Sequence, residues 1–305
     1  MLITKFCIVF RTFAGDKTAN EMKKTILYSL IALFMLSCAT ATKHDTKPTI
    51  YVSITPLKAL AEELSCGDFA VEVIVPKGAS PESYEPSPKQ IAALSEAELI
   101  YEVGLINFEQ TLVKSLNSSN RLINLSHGIA PLSGCCAHHH HDGHTHGIDP
   151  HIWTAPRSLK LMVENMRNAL VSRYPDSTKY ATAAESLLQR IDSLDKLCEA
   201  TITNSNTRAM VIYHPAYTYF CRDYNIEQIA VEHEGKEPTP RQLTAIVERI
   251  EHLGVGHILH QPQYSPDKVR PIAEATDIDI VETDPLAEDI LDEIERITNI
   301  ICHHE

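Results

Sequence analysis

Two rhythms of apolar and polar positions divide this chain. Short apolar-rich runs at 49–54, 69–75, 99–103 and 121–125 read as strands, and between them 57–64, 89–98 and 108–116 carry apolar residues at helical intervals. Strands alternating with helices at this spacing predict a mostly parallel sheet with helices on its faces. From about 158 to 203 the strand signal stops. That stretch holds no glycine and a single proline, Pro175, while Leu159, Met162, Val163, Met166, Leu170, Leu187, Ile191, Leu194 and Leu197 recur at helical spacing. It predicts a stiff strut, kinked at Pro175 or restarted there as a second helix. Beyond it, strands at 209–213, 228–231, 257–260 and 279–282 alternate with helices at 217–224, 241–252, 266–276 and 286–300. The expected fold class is α/β: two similar lobes with mostly parallel sheets, over 49–155 and 205–305, joined by one long rigid linking helix over 156–204.

An internal echo supports two similar lobes. Glu85-Pro86-Ser87-Pro88-Lys89-Gln90-Ile91-Ala92-Ala93-Leu94 aligns with Glu237-Pro238-Thr239-Pro240-Arg241-Gln242-Leu243-Thr244-Ala245-Ile246. Each places a hydroxyl residue at the helix cap and proline at the first helical position, where its missing N–H costs nothing.

Composition narrows the function classes. With 305 residues, 44% of them hydrophobic, the chain can bury one large core or two modest ones. A net charge of −13 argues against nucleic acid, since phosphate neutralisation needs a basic face. At the N-terminus, Met22-Lys23-Lys24 opens a basic region, 26–36 is an apolar run too short to span a membrane, and Ser37-Cys38-Ala39 follows. This reads as a lipoprotein signal peptide over 22–37 with Cys38 lipidated after cleavage, the alternative being an ordinary signal peptide with an incidental cysteine. Residues 1–21 are expected to be an upstream extension and 38–48 a polar tether. An exported chain meets an oxidising compartment, so Cys66, Cys135, Cys136, Cys198, Cys221 and Cys302 could form disulfides in any of several pairings. Cys135 and Cys136 could instead be thiolate ligands.

Candidate chemistry gathers on histidine. His138, His139, His140, His141, His144 and His146 lie among small and flexible residues and read as a mobile loop of weak, interchangeable metal ligands. His151, after Pro150 and before Ile152-Trp153, is held by packing and belongs to a different site. Ligands of parallel α/β sheets bind at the carboxyl ends of strands. Four candidates lie just beyond expected strands, each beside a proline: Glu82, His151, His214 and Asp284. Two imidazoles with two carboxylates suit Zn2+ or Mn2+ and match Cu(I) poorly.

With these residues in view, the chain resembles the substrate-binding lipoproteins of zinc and manganese ABC transporters, the ZnuA/TroA-like proteins. The resemblance covers about 49–301 and rests on Tyr84-Glu85-Pro86-Ser87-Pro88, Asp149-Pro150-His151-Ile152-Trp153, His214-Pro215-Ala216-Tyr217, Glu237-Pro238-Thr239-Pro240 and Asp284-Pro285-Leu286. It implies two lobes joined by a rigid helix, with the metal held between them by Glu82, His151, His214 and Asp284. It also implies an ABC permease as partner and a monomer anchored to the cell envelope by lipid on Cys38, facing the periplasm or the extracellular side. The family commonly has histidine where this chain has Glu82, which shifts the set towards manganese. The histidine loop and the usual affinity order favour zinc. Two other readings stay open: a zinc hydrolase, if only three residues ligate and a water takes the fourth position, and a receptor for a larger metal chelate. His233, His257, His260 and His303 rank below the four as ligands.

Overall fold

The apolar runs become eight short strands in the computed structural model, which describes residues 47–116, 121–133, 147–232 and 236–303. The first sheet comprises β1 (Thr49–Val52), β2 (Ala70–Val73), β3 (Leu99–Glu102) and β4 (Leu122–Asn124), with α1 (Pro56–Ser65), α2 (Pro88–Ser95) and α3 (Asn107–Ser115) between them. Two helices follow, α4 (Pro156–Arg173) and α5 (Thr178–Ser205). The second sheet comprises β5 (Ala209–Ile212), β6 (Glu227–Ala230), β7 (His257–His260) and β8 (Asp279–Glu282), with α6 (Thr218–Asp223), α7 (Pro240–Leu253), α8 (Arg270–Thr276) and α9 (Ile290–Cys302). The strand orders are β2-β1-β3-β4 and β6-β5-β7-β8, and every pairing is parallel. The two lobes are therefore one topology used twice.

The sequence echo has a physical counterpart. Ser87 caps α2 at φ −68°, ψ 157°, and Thr239 caps α7 at φ −67°, ψ 158°. In both, the third helical residue, Gln90 or Gln242, turns its side chain back to the cap and closes a reciprocal capping box.

Pro175 breaks the linking segment in two. The helix expected over 156–204 is an antiparallel pair, because Pro175 removes one backbone donor and its ring clashes with the preceding turn. Across the pair, Arg157 Nε lies 3.0 Å from Asp195 Oδ1 and Lys160 Nζ lies 2.6 Å from Asp192 Oδ1. The long member, α5, packs on α1 of the first lobe and α9 of the second. One apolar core runs through all three parts, from Ile50 and Val52 through Met166, Leu187 and Ile191 to Ile212 and Ile297. Alternation along β5 sends Met210 and Ile212 into this core and Val211 into a smaller one with Ile229, Ile258 and Ile272. Among the described residues, no helix is long and apolar enough to cross a membrane.

The last helix begins later than its apolar pattern suggests. The expected span 286–300 is replaced by Ile290–Cys302, because Asp289 accepts hydrogen bonds from Leu291 N and Asp292 N and so fixes the start. Cys66, Cys198, Cys221 and Cys302 are free thiols, so no disulfide joins any two of these four. Cys135 and Cys136 lie outside the described residues, as do Cys38, its signal segment and nearly all of the tether.

A buried pair of carboxyls sits at the end of β3. Glu109 accepts from Ser53 Oγ and from the backbone N–H groups of Val103, Gly104 and Ile106 at 2.5–2.9 Å. Gly104, at φ +90°, makes this cradle possible, since any Cβ there would strike the Asn124 side chain. Glu102 has no such donors, and its Oε2 is buried without a partner. Burial, reinforced by the neighbouring Glu109 carboxylate, pushes Glu102 up to about 8. A carboxyl raised in the folded state keeps its proton while the unfolded chain releases it, so this group removes stability as pH climbs from about 4.5 to about 8. We expect Glu102→Gln to melt like the wild type near pH 4.5 and to be the more stable protein at pH 8. Thermal melts across that range check this, and a mutant-minus-wild-type difference that does not grow with pH contradicts it.

Candidate metal centre

Two loops beyond strand ends and one segment that leads into a helix build the centre. His214 lies just beyond β5, Glu82 lies in the loop beyond β2, and His151 ends the segment Asp149-Pro150-His151 that leads through a 3-10 turn (Ile152–Thr154) into α4. One ligand atom from each of Glu82, His151 and His214 falls within 4.8 Å of the others. Glu82 Oε1 is 3.5 Å from His214 Nε2 and 3.9 Å from His151 Nε2, and the two imidazole centroids are 5.2 Å apart. Among the described residues this is the group that can hold a metal.

The segments that carry the imidazoles are fixed from behind. Asp149 Oδ1 accepts His151 N at 2.8 Å and sits 2.9 Å from His151 Nδ1. Glu232 Oε2 sits 3.3 Å from His214 Nδ1. In both rings a carboxylate holds Nδ1, which leaves Nε2 facing Glu82 and the centre, the arrangement that orients histidines towards a cation. Gln261 clamps the His214 peptide on both sides, with its Oε1 accepting His214 N at 3.2 Å and its Nε2 donating to His214 O at 2.6 Å. Thr154 Oγ1 lies 2.9 Å from His151 O and 2.8 Å from Ala216 O, joining the two histidine-bearing segments. Tyr264 stacks on His214 at 5.5 Å.

Charge accumulates where the imidazoles meet. Burial would raise the Glu82 carboxyl, but His214 and His151 outweigh it and hold the group below its ordinary value. Burial would likewise lower His214, yet the Glu232 and Glu82 carboxylates overcome it and push the ring up to about 9. Asp149 is held low because His151 more than offsets its burial. Three carboxylates thus surround two imidazoles, and a cation that binds His214 displaces a proton. The cavity at this point has a volume of about 30 Å³ and is walled by Ser80, Pro81, Trp153, Tyr264, Pro285 and Leu286. That is room for an ion and a water-sized group, and too little for a corrinoid or siderophore chelate.

Of the four expected ligands, the structure brings three together. Asp284 stands outside the set. Its Oδ1 accepts Leu286 N at 3.0 Å and Gln263 Nε2 at 3.2 Å, and it lines an adjoining cavity with Lys77 and Ala79. The loop histidines His138, His139, His140, His141, His144 and His146, and His233, lie outside the described residues. The flanks of the loop meet beside the centre, where Ser133 bridges Ile148 and Asp149 N donates to Leu132 O at 2.9 Å. His260 Nε2 is 2.6 Å from Tyr264 O and His257 Nε2 is 3.2 Å from His303 O, so both rings pair with backbone. Sequence reasoning passed over Asp149, Glu232, Gln261 and Gln263. Glu232 could have been found by the rule that found the ligands, since it follows β6 directly.

Comparison with known proteins agrees with this geometry. The family described as the periplasmic component A of the zinc-uptake complex, ZnuA, matches residues 50–299, and the chain belongs to it. The zinc-binding lipoprotein AdcA of Streptococcus pneumoniae R6 is 27% identical over 260 residues, covering 80% of this chain and 51% of its own length. A zinc-binding AdcA of Streptococcus pyogenes is 24% identical over 290 residues, covering 87% of this chain and 56% of its own. The chain spans about half the length of these relatives. A crystal structure of ZnuA superposes with a TM-score of 0.74 at 29% identity, covering 85% of this chain and 98% of its own. A zinc-bound ZnuA deletion mutant gives the same score and identity, covering 86% and 100%. FpvC of Pseudomonas aeruginosa, solved with Mn2+, shares the fold with a TM-score of 0.69 at 19% identity, over 84% of this chain and 98% of its own.

Proposed function

We propose that this protein is a solute-binding receptor that captures a divalent cation between its lobes, zinc in preference to manganese, and delivers it to an ABC permease. The observation that carries this reading is the convergence of Glu82, His151 and His214 from both lobes, with a carboxylate behind each imidazole. Two neutral imidazoles and one carboxylate make a borderline donor set in which zinc is preferred over manganese by the ordinary affinity order. Zinc takes four ligands: Asp284 is the proposed fourth when its carboxylate turns in from the neighbouring cavity, and one small oxygen group fills the position while it does not. The zinc-bound ZnuA of the same fold supports the choice of ion. The shared core through α4 and α5 supports delivery by side-chain and loop movement rather than by a wide hinge. Lipid on Cys38 would hold the receptor at the envelope, and the histidine loop over 138–146 would gather ions near the cleft.

The reading rests on metal content. Elemental analysis of the purified chain is expected to show one tightly held zinc per molecule, and competition titration is expected to show zinc displacing manganese. Wild-type protein that holds neither ion at one equivalent would refute the receptor reading, and manganese retained against excess zinc would refute the preference.

A further inference from the structure

We infer that Gln263 sets the ion preference of this centre by holding the Asp284 carboxylate out of it. The inference rests on the receptor reading above and goes beyond it, since it assigns selectivity to a residue that touches no ion.

The backbone around Asp284 is pinned at four points. Asp284 N donates to Glu293 Oε1 at 2.9 Å, and Glu293 is itself buried and paired with Arg296 at 2.8 Å. Ala287 N donates to Asp284 O at 2.9 Å, Thr283 N to His260 O at 2.9 Å, and Trp153 Nε1 to Pro285 O at 2.7 Å. With the peptide held at these points, rotation of the side chain is the movement left to the carboxylate. Against that rotation stand the Gln263 amide and the Leu286 N–H, both donating to Oδ1. Gln263 lines both cavities and forms part of the wall between them, with Pro81 and Leu286.

The turn that carries Gln263 is also fixed. Tyr264 N donates to Gln261 O at 3.1 Å, which closes Gln261–Tyr264, and the Gln261 side chain clamps the His214 peptide. One turn therefore places an imidazole in the centre with one glutamine and restrains a carboxylate beside it with the other. The consequence differs between ions. Zinc can complete a tetrahedron with Glu82, two imidazoles and one small oxygen group. Manganese gains more from added carboxylate oxygens. Restraining Asp284 therefore costs manganese more than zinc, and a neutral donor on a carboxylate is worth about a factor of ten.

The test is a double-mutant cycle on the full chain, read as the ratio of the Mn2+ and Zn2+ dissociation constants. Gln263→Met keeps length and removes the donor, and the ratio is expected to fall about tenfold. In an Asp284→Asn background the same change is expected to leave the ratio unmoved. The inference is overturned if Gln263→Met shifts the ratio less than twofold, or if the shift persists without the Asp284 carboxylate. Should Gln263→Met fail to reach the wild-type melting temperature, Gln263→Leu takes its place, and failure of both assigns Gln263 to folding and overturns the inference. Failure of the underlying receptor reading looks different, because wild type itself would then hold neither ion.

Discussion

Replacing His214 by alanine is expected to abolish tight stoichiometric metal binding while leaving the fold in place. Among the described residues His214 supplies one of the three converging donor atoms, so the loss should exceed the ten- to hundredfold that removal of a supporting partner usually costs, and we expect more than about a hundredfold. The fold should survive because Gln261 grips the His214 backbone rather than its ring. Deleting 138–146 is the contrasting change. The loop histidines lie between residues whose flanks are tied to the centre, and their removal should cost only additional, weaker equivalents. Isothermal titration with zinc separates the two, since His214→Ala removes the tight event and the deletion lowers the stoichiometry of the weak one. Equal losses from both changes would overturn this division between a fixed centre and a gathering loop.

Why some of this was legible from residues and some was not follows from what each feature depends on. Helix starts at Ser87-Pro88 and Thr239-Pro240 are local, decided by a hydroxyl cap and a proline within three positions, and the structure repeats their dihedral angles almost identically. The break at Pro175 is local for the same reason. His151 was readable from Pro150 before it and Ile152-Trp153 after it, and Glu82 and His214 because a parallel sheet puts every strand's carboxyl end on one edge, so a residue type and its place after a strand suffice. Asp284 satisfies that rule equally well and still stands apart. Its Oδ1 accepts from Gln263 Nε2 and Leu286 N, and no sequence rhythm encodes that pairing. Asp149 and Glu232 act through Nδ1 atoms of rings whose orientation exists only in the folded chain. The start of α9 slipped because Leu286 continues the apolar period, whereas Asp289 competes for the helix start through its side chain.

The duplication of one topology also explains why the centre can be stiff. Each lobe brings its strand ends to a common cleft, and the two are joined by α4 and α5 and by a core shared across them. A site assembled across such a seam inherits the stability of the seam, so residues that close the seam should affect both melting and metal affinity.

Trp153 is where that coupling should be largest. It is 1% exposed, its ring lies 5.1 Å from the His151 imidazole, and its Nε1 donates to Pro285 O in the opposite lobe at 2.7 Å. Trp153→Ala empties a fully buried site and leaves Pro285 O without its donor, which together should cost about 3–5 kcal/mol. For a chain of this size that corresponds to a fall of roughly 6–20 °C in melting temperature. Trp153→Phe keeps most of the ring and loses the N–H bond, so its cost should be nearer 1–2 kcal/mol, roughly that of one buried hydrogen bond. Metal affinity should fall with the alanine change as well, because His151 loses the ring that backs it and the Pro285 segment loses its anchor. The difference shows in melts with and without zinc: a ligand stabilises in proportion to the logarithm of its concentration over Kd, so the zinc-induced rise should be smaller in Trp153→Ala than in wild type. A mutant that melts within about 2 °C of wild type, less than one kcal/mol's worth, would show that the seam is held elsewhere. An unchanged zinc-induced rise would show that the centre does not depend on it.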